Sequence, residues 1–147
     1  MLHQVQVTDF DKIKDIVLRN IEECRAGKRT SYDYVKATAT LFSSQGNVGI
    51  WVDDIDSPTC LLIVTKGKFG VLNETFAFVN TIYVDKDKRT PSLFTEMAQT
   101  AEVWARSNGC DSLQGSAWVY EGCDDCSRLW EKEGFSIQEK IYVKGLR

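Results

Sequence analysis

The sequence predicts an α/β fold in which a central mixed sheet carries helices on both of its faces. Segments with helical spacing of apolar residues alternate with β-branched or continuously apolar segments, in the order β-α-α-β-β-β-α-β-α-β. Because helices cross between some of the strands, part of the sheet is expected to be parallel. No linker or repeat divides the 147 residues, so we expect a single domain over residues 1–147.

The first half of the chain predicts one strand, two helices and two further strands. Val5 and Val7 alternate with polar residues and indicate the first strand. Residues 48–52 predict the second strand, and the apolar run 60–65 predicts a third that is buried on both faces. Residues 66–68 hint at a turn or bulge. The two helices present apolar faces made of Ile13, Ile16, Val17, Ile21 and Cys24, and of Tyr34, Thr38, Leu41 and Phe42.

The second half predicts strands that alternate with two helices. Residues 76–84 are rich in aromatic and β-branched side chains and indicate a strand. Pro91 suits the first turn of the next helix, and Gly109 ends it. The apolar face of this helix comprises Leu93, Met97, Ala101 and Trp104. A strand over 113–120, a short helix from about Asp124 to Gly134, and one or two strands over 135–143 complete the order.

Composition excludes several functional classes. The net charge of −3 gives no reason to expect nucleic acid or an anionic membrane as a partner. The single histidine, His3, disfavours Ser-His and Cys-His hydrolases and zinc sites that need two histidines. Cys123 and Cys126 lack a second such pair, so no metal site is predicted. Five irregularly spaced cysteines without a visible signal peptide favour free thiols and a cytoplasmic location.

Three segments of the second half carry a resemblance to a known family. Residues 78–89 look like a central strand that runs into a pyrophosphate loop, with Arg89 as the first residue of an Arg/Gln-x-x-Gly-x-Gly/Ala signature. Residues 129–135, Leu-Trp-Glu-Lys-Glu-Gly-Phe, resemble a Tyr-Glu-Lys-x-Gly-Phe helix ending, and 141–146 resemble a closing strand. The chain thus resembles the GNAT superfamily of N-acetyltransferases, well over residues 70–146 and by element order alone before them.

The resemblance implies a cleft for acetyl-coenzyme A, the cosubstrate. Its pantetheine arm would lie between two parallel strands that separate near Ile82 and Ala117, and its pyrophosphate would lie at the helix start after Arg89. The implied cofactor-binding residues are Ile82, Tyr83, Val84, Arg89, Thr90, Ser92, Leu93 and Phe94. The catalytic candidates are Glu74 and Glu121 as the base that deprotonates the amine, and Tyr120 as the acid for the leaving thiolate.

Several positions depart from the family pattern. Ser92 and Phe94 replace the two signature glycines, and the phenylalanine either points away from the ligand or fills its site. Trp130 stands where the family often has a tyrosine that protonates the thiolate, and an indole N–H is not a usable acid. On this basis a working cleft predicts that Phe94→Gly helps or is neutral.

Two hypotheses therefore stay open. The first is an acetyl-CoA-dependent N-acetyltransferase that acts on a primary amine of unknown identity. The second is a GNAT-fold binding or assembly module without catalysis, of the kind found among bacteriophage products. Thermal unfolding with acetyl-CoA separates them, since only the first predicts a shift. The sequence leaves the oligomeric state open, with a homodimer among the options.

Overall fold

A five-stranded mixed sheet forms the core of the first of two compact units, Met1–Ser116 and Ala117–Arg147. The structure, a computed structural model, describes residues 1–25, 27–68, 71, 73–117, 126–139, 141–142 and 144–146. The strands lie side by side in chain order: β1 (His3–Gln4), β2 (Val48–Val52), β3 (Cys60–Lys68), β4 (Thr75–Val84) and β5 (Ser112–Gln114). Strands β1 to β4 are antiparallel and β5 runs parallel to β4, which confirms the expected mixed sheet.

Helices cover both faces of this sheet, as predicted. A 3-10 segment, Val7–Ile13, leads into α1 (Lys14–Cys24), and α2 (Tyr32–Ser44) and α3 (Pro91–Ser107) follow. Ile50 and Val52 of β2 belong to the core beneath α1 and α2. Trp51 lies between them in sequence and therefore points to the other face, where its ring meets that of Trp104 of α3 at 6.3 Å between centroids.

Strand β3 is buried on both faces over its first five residues, Cys60 to Val64, as its apolar run predicts. It then continues to Lys68 in regular pairing with β4, so the turn or bulge expected at residues 66–68 is wrong. The β2–β3 hairpin is closed by the carboxylate of Asp53, which accepts hydrogen bonds from the backbone N–H groups of Thr59 and Cys60 at 2.8 and 3.0 Å.

The buried face of α2 differs from the predicted one. Tyr32 and Ala39 are buried, whereas Tyr34 and Leu41 are 64% and 59% exposed. Two different faces of this helix carry apolar residues at helical spacing. Contacts with the 3-10 segment before α1 determine which of the two faces is buried. The hydroxyl of Tyr32 donates to Asp11 and its ring packs on Phe10, with 5.8 Å between the centroids.

The end of the chain departs from prediction in two respects. Strand β5 is shorter than expected, and residues 118–125, including the predicted helix start at Asp124, lie outside the described residues. In the second unit, α4 (Ser127–Lys132) is followed by Gly134 with φ of +87°, and Trp130 stacks on Phe135 at 4.7 Å. The strands expected over 135–143 have no counterpart among the described residues. No helix in the described part of the chain is long and apolar enough to cross a bilayer.

Candidate functional site

An extra residue in β4 interrupts the pairing of the two longest strands. Val64 pairs with Val79 and Ile63 with Thr81, so Asn80 is the additional residue of a β-bulge. The side-chain amide of Asn80 donates to the hydroxyl of Thr65 on β3. The backbone carbonyl oxygen of Asn80 accepts a hydrogen bond at 3.0 Å from Nη2 of Arg25, the residue that directly follows α1. The bulge is therefore held from both β3 and the end of α1.

The pairing of β4 with its parallel neighbour β5 is described only before the bulge. In the described residues β4 pairs with β5 only through Phe76, Ala77 and Phe78, while it pairs with β3 as far as Val84. The N–H of Asp85 donates to the Thr59 carbonyl at 2.8 Å on the β3 side. Because alternate residues direct their backbone groups to opposite sides, Ile82 and Val84 direct theirs away from β3, and Tyr83 directs its own toward β3.

This edge of β4 leads through residues 85–90 into the N-terminus of α3. Thr90 caps this helix, since its hydroxyl accepts a hydrogen bond from the Leu93 N–H at 3.2 Å, and Pro91 occupies the first turn. Ser92 is exposed, with its hydroxyl 3.2 Å from that of Thr90. The dipole of a 17-residue helix favours an anion at this end, and the preceding loop adds Lys86, Lys88 and Arg89.

Arg89 bonds to α1 and to the last residue of β4. Its Nη2 forms an ion pair with Oε1 of Glu23, and its Nε donates to the Val84 carbonyl at 2.9 Å. The other carboxylate oxygen of Glu23 accepts from the Tyr83 hydroxyl at 2.9 Å. The sequence offers no signal for Glu23, because 66 residues separate it from Arg89.

The same network continues to a second ion pair. Asp85 lies 3.2 Å from the Tyr83 hydroxyl and accepts two hydrogen bonds from Arg19, at 2.9 and 3.1 Å. Arg19 also donates to the Pro58 carbonyl at 2.7 Å. Burial and then the Glu23 carboxylate raise the pKa of Tyr83, so its phenol stays protonated and is a poor proton donor. Tyr83, a predicted cofactor-binding residue, directs its backbone groups toward β3 and its side chain toward Glu23 of α1.

The ring of Phe94 is part of the core. Phe94 is 7% exposed and shares the buried face of α3 with Met97, Ala98 and Ala101. This face packs on the sheet, since α3 contacts β3 and β4. The side chain is therefore directed at the sheet and not at the solvent around the helix start. Replacing it with glycine would remove core volume, so a neutral Phe94→Gly is no longer expected.

The catalytic candidates are not brought together in the described part of the chain. Glu74 is exposed just before β4, six residues from Asn80. At about 3.3 Å per residue that is roughly 20 Å along the strand. Tyr120 and Glu121 lie outside the described residues, as does Cys123. No cluster of histidine, cysteine, aspartate or glutamate within the described ranges could hold a metal ion.

Solved structures of several acetyltransferases have an architecture similar to that of this chain. A probable acetyltransferase superposes with a TM-score of 0.75 at 15% identity, covering 100% of this chain and 98% of its own. Glucosamine-6-phosphate N-acetyltransferase from Arabidopsis thaliana gives 0.70 at 16%, with 100% and 98% covered. A predicted acetyltransferase from Clostridium acetobutylicum, solved with acetyl-CoA, gives 0.79 at 9%, with 99% and 96% covered.

Sequence comparison adds no closer relationship. No family model matches the chain, and no curated protein is similar to it in sequence. The likeness to the solved acetyltransferases at 9–16% identity therefore rests on architecture. The chain has the fold of the GNAT acetyltransferases, in a widely diverged sequence.

Proposed function

We propose that the protein is an acetyl-CoA-dependent N-acetyltransferase that transfers the acetyl group to a primary amine. The observation that carries this proposal is the edge of β4 beyond the Asn80 bulge, which runs directly into the capped start of α3. An extended amide-containing chain can pair with such an edge as an additional strand does. An anionic group at the end of that chain would then meet the helix N-terminus.

The residues present fit acetyl-CoA in two of three respects. Ile82 and Val84 direct backbone N–H and C=O groups to the edge where the pantetheine amides would lie. The start of α3, with Thr90, Ser92 and Leu93, offers the positive end of a helix to the pyrophosphate. Arg89 is the exception, because its guanidinium is paired with Glu23. In our proposal the cosubstrate therefore lies along β4 and the start of α3, and the Arg89 guanidinium beside it already forms an ion pair with Glu23.

The reaction itself requires little of the protein beyond position. The amine nitrogen attacks the thioester carbonyl, a C–N bond forms, and the C–S bond breaks. A base takes the proton that the amine loses, and the departing thiolate receives a proton from an acid. Holding the amine and the thioester at about 3–3.5 Å supplies much of the rate. The fold that separates β4 from β5 provides this alignment in our proposal.

We propose Glu121 as the base and Tyr120 as the acid. Both follow β5, the strand that is parallel to β4, and a base must lie within one hydrogen bond or one water of the proton it accepts. Glu74 fits this requirement less well, at roughly 20 Å along β4 from the bulge. Glu121→Gln is expected to lower kcat by about 10²–10⁴-fold, whereas Glu74→Gln leaves it unchanged.

Ligand binding tests the proposal before any acceptor is known. Thermal unfolding is measured with acetyl-CoA and with desulfo-coenzyme A. At a concentration of 100 times Kd, a ligand stabilises the folded state by about 2.7 kcal/mol, a shift of roughly 5–11 °C. Primary amines are then screened with chromatographic and mass detection of coenzyme A, because the five cysteines would react with thiol dyes. Absence of any shift up to millimolar acetyl-CoA would refute the proposal and favour a binding module.

A further inference from the structure

We propose that Glu23 competes with the pyrophosphate of acetyl-CoA for Arg89 and thereby limits the affinity for the cosubstrate. The inference rests on the proposed function and adds a residue to its cofactor site. Glu23 lies near the end of α1, in a segment that the resemblance to GNAT enzymes does not assign to the ligand. Its effect is opposite to that of the residues around it, because it carries negative charge into a site that would bind an anion.

Hydrogen bonds to both carboxylate oxygens hold the side chain of Glu23 beside Arg89. One oxygen of the Glu23 carboxylate pairs with Nη2 of Arg89, and the other accepts from the Tyr83 hydroxyl at 2.9 Å. Tyr83 is itself buried, which fixes the position of its hydroxyl oxygen, and that hydroxyl also lies 3.2 Å from Asp85. A carboxylate held at both oxygens has lost the rotational freedom that makes most surface ion pairs weak. Glu23 is thus positioned before a ligand arrives.

Arg89 is committed to the same arrangement. Its Nε donates to the Val84 carbonyl at 2.9 Å, and this carbonyl lies on the edge of β4 that faces away from β3. A pyrophosphate at the start of α3 meets one of two situations. Arg89 leaves Glu23 to bind the phosphate oxygens, or it stays and the ligand is bound beside an additional negative charge. Both situations lower the affinity relative to a neutral residue at position 23.

The expected effect is moderate, because the pair is only partly buried. The side chains of Arg89 and Glu23 are 30% and 37% exposed. Partly exposed ion pairs of this kind correspond to at most about a fivefold change in an equilibrium constant. Loss of the Glu23 charge also removes its repulsion of the pyrophosphate, which increases the gain in affinity further. We expect Glu23→Gln to tighten acetyl-CoA binding by about three- to tenfold.

The adjacent Glu22 provides a matched control. It is exposed, and Glu22→Gln makes the same change of charge one residue away. Isothermal titration calorimetry gives Kd for acetyl-CoA with the unmodified chain and both variants, and thermal unfolding verifies that each is folded. S-acetylpantetheine, which lacks the pyrophosphate, serves as the second probe. We expect Glu23→Gln alone to tighten acetyl-CoA binding and neither variant to alter binding of S-acetylpantetheine. Glu23→Ala repeats the test without an amide that could bond to Arg89.

The outcomes separate this inference from the proposed function. Equal or weaker acetyl-CoA binding by both Glu23 variants, with normal binding by the unmodified chain, overturns the inference and leaves the proposed function intact. Tighter binding by Glu22→Gln as well also overturns it, since general charge then explains the effect. Absence of binding in all four proteins overturns both. Binding by the Glu23 variants alone supports the inference, because it shows a cofactor site that Glu23 closes, and it counts against the proposed function of the unmodified chain.

Discussion

Truncation of Phe94 tests whether this departure from the GNAT signature is a structural residue. Phe94 is 7% exposed on the sheet-facing side of α3, next to Met97 and Ala98. A Phe→Ala change at such a site costs about 3–5 kcal/mol, from lost transfer energy and from the cavity left behind. Native domains are stable by about 5–15 kcal/mol, so Phe94→Ala removes a large fraction. For a chain of this size the midpoint should fall by roughly 6–20 °C.

Val103 supplies the control on the same helix. It is 65% exposed, so Val103→Ala should change stability by less than about 0.5 kcal/mol. Differential scanning calorimetry of both variants, with and without acetyl-CoA, separates a role in the core from a role in blocking the ligand. A drop of less than about 2 °C for Phe94→Ala would refute the packing argument. Such a result, together with a larger shift by acetyl-CoA, would mean that the ring fills the ligand site instead.

Three further changes probe the sheet and its loops. Deletion of Asn80 removes the bulge while Val79 and Thr81 keep their partners on β3, so the strand loses its local bend and the hydrogen bonds that Asn80 forms with Thr65 and Arg25; we expect a loss of about 2–3 kcal/mol in urea unfolding. Gly49→Ala would place Cβ 2.1 Å from the ring of Trp51 and should cost about 1–3 kcal/mol, while Gly67→Ala meets its nearest atom at 3.4 Å and should cost less. Although burial opposes ionisation of Asp53, hydrogen bonds from Thr59 and Cys60 prevail and lower its pKa, so its contribution to stability is present above about pH 4 and lost below.

Each of these expectations has a simple check. Asn80→Ala keeps the extra residue and loses one side-chain hydrogen bond, so it should cost only about 1 kcal/mol; equal effects of deletion and substitution would argue against the bulge. Similar midpoints for the two glycine variants would contradict the close approach of Trp51. For Asp53, midpoints are recorded between about pH 6 and pH 2.5, and Asp53→Asn should flatten the acid decline. Asp54→Asn is the control, and an unchanged decline in Asp53→Asn would contradict the assignment.

Local signals were sufficient for elements whose boundaries depend on backbone chemistry. Strand β2 lies at Val48–Val52 as predicted, and α3 begins at Pro91 and ends before Gly109, where φ is +70°. Pro91 limits the backbone at the helix start, and Gly109 accepts a left-handed conformation at the end. Such residues act on their own segment, so a single sequence is enough to find them.

Features that depend on distant partners could not be predicted in this way. Both stripes of α2 have helical spacing, and only the contacts of Tyr32 with Phe10 and Asp11 show which one is buried. The bulge at Asn80 has no glycine or proline signal and appears only in the register against β3. The ion pair of Glu23 with Arg89 joins residues that no local sequence pattern associates, so this part of the candidate site required the structure.

The bonds between α1 and β4 also determine when the site can form. Arg19 and Asp85 are 66 residues apart in sequence, as are Glu23 and Arg89, and Arg25 and Asn80 are 55 apart. Contacts of such high sequence separation form slowly, because the intervening chain must be ordered first. At about 5–20 residues per second, α1 is synthesised roughly 3–13 s before its partners. During that interval Arg19, Glu23 and Arg25 face water, and the contacts around Arg89 and Asn80 form only after β2, β3 and β4 have assembled.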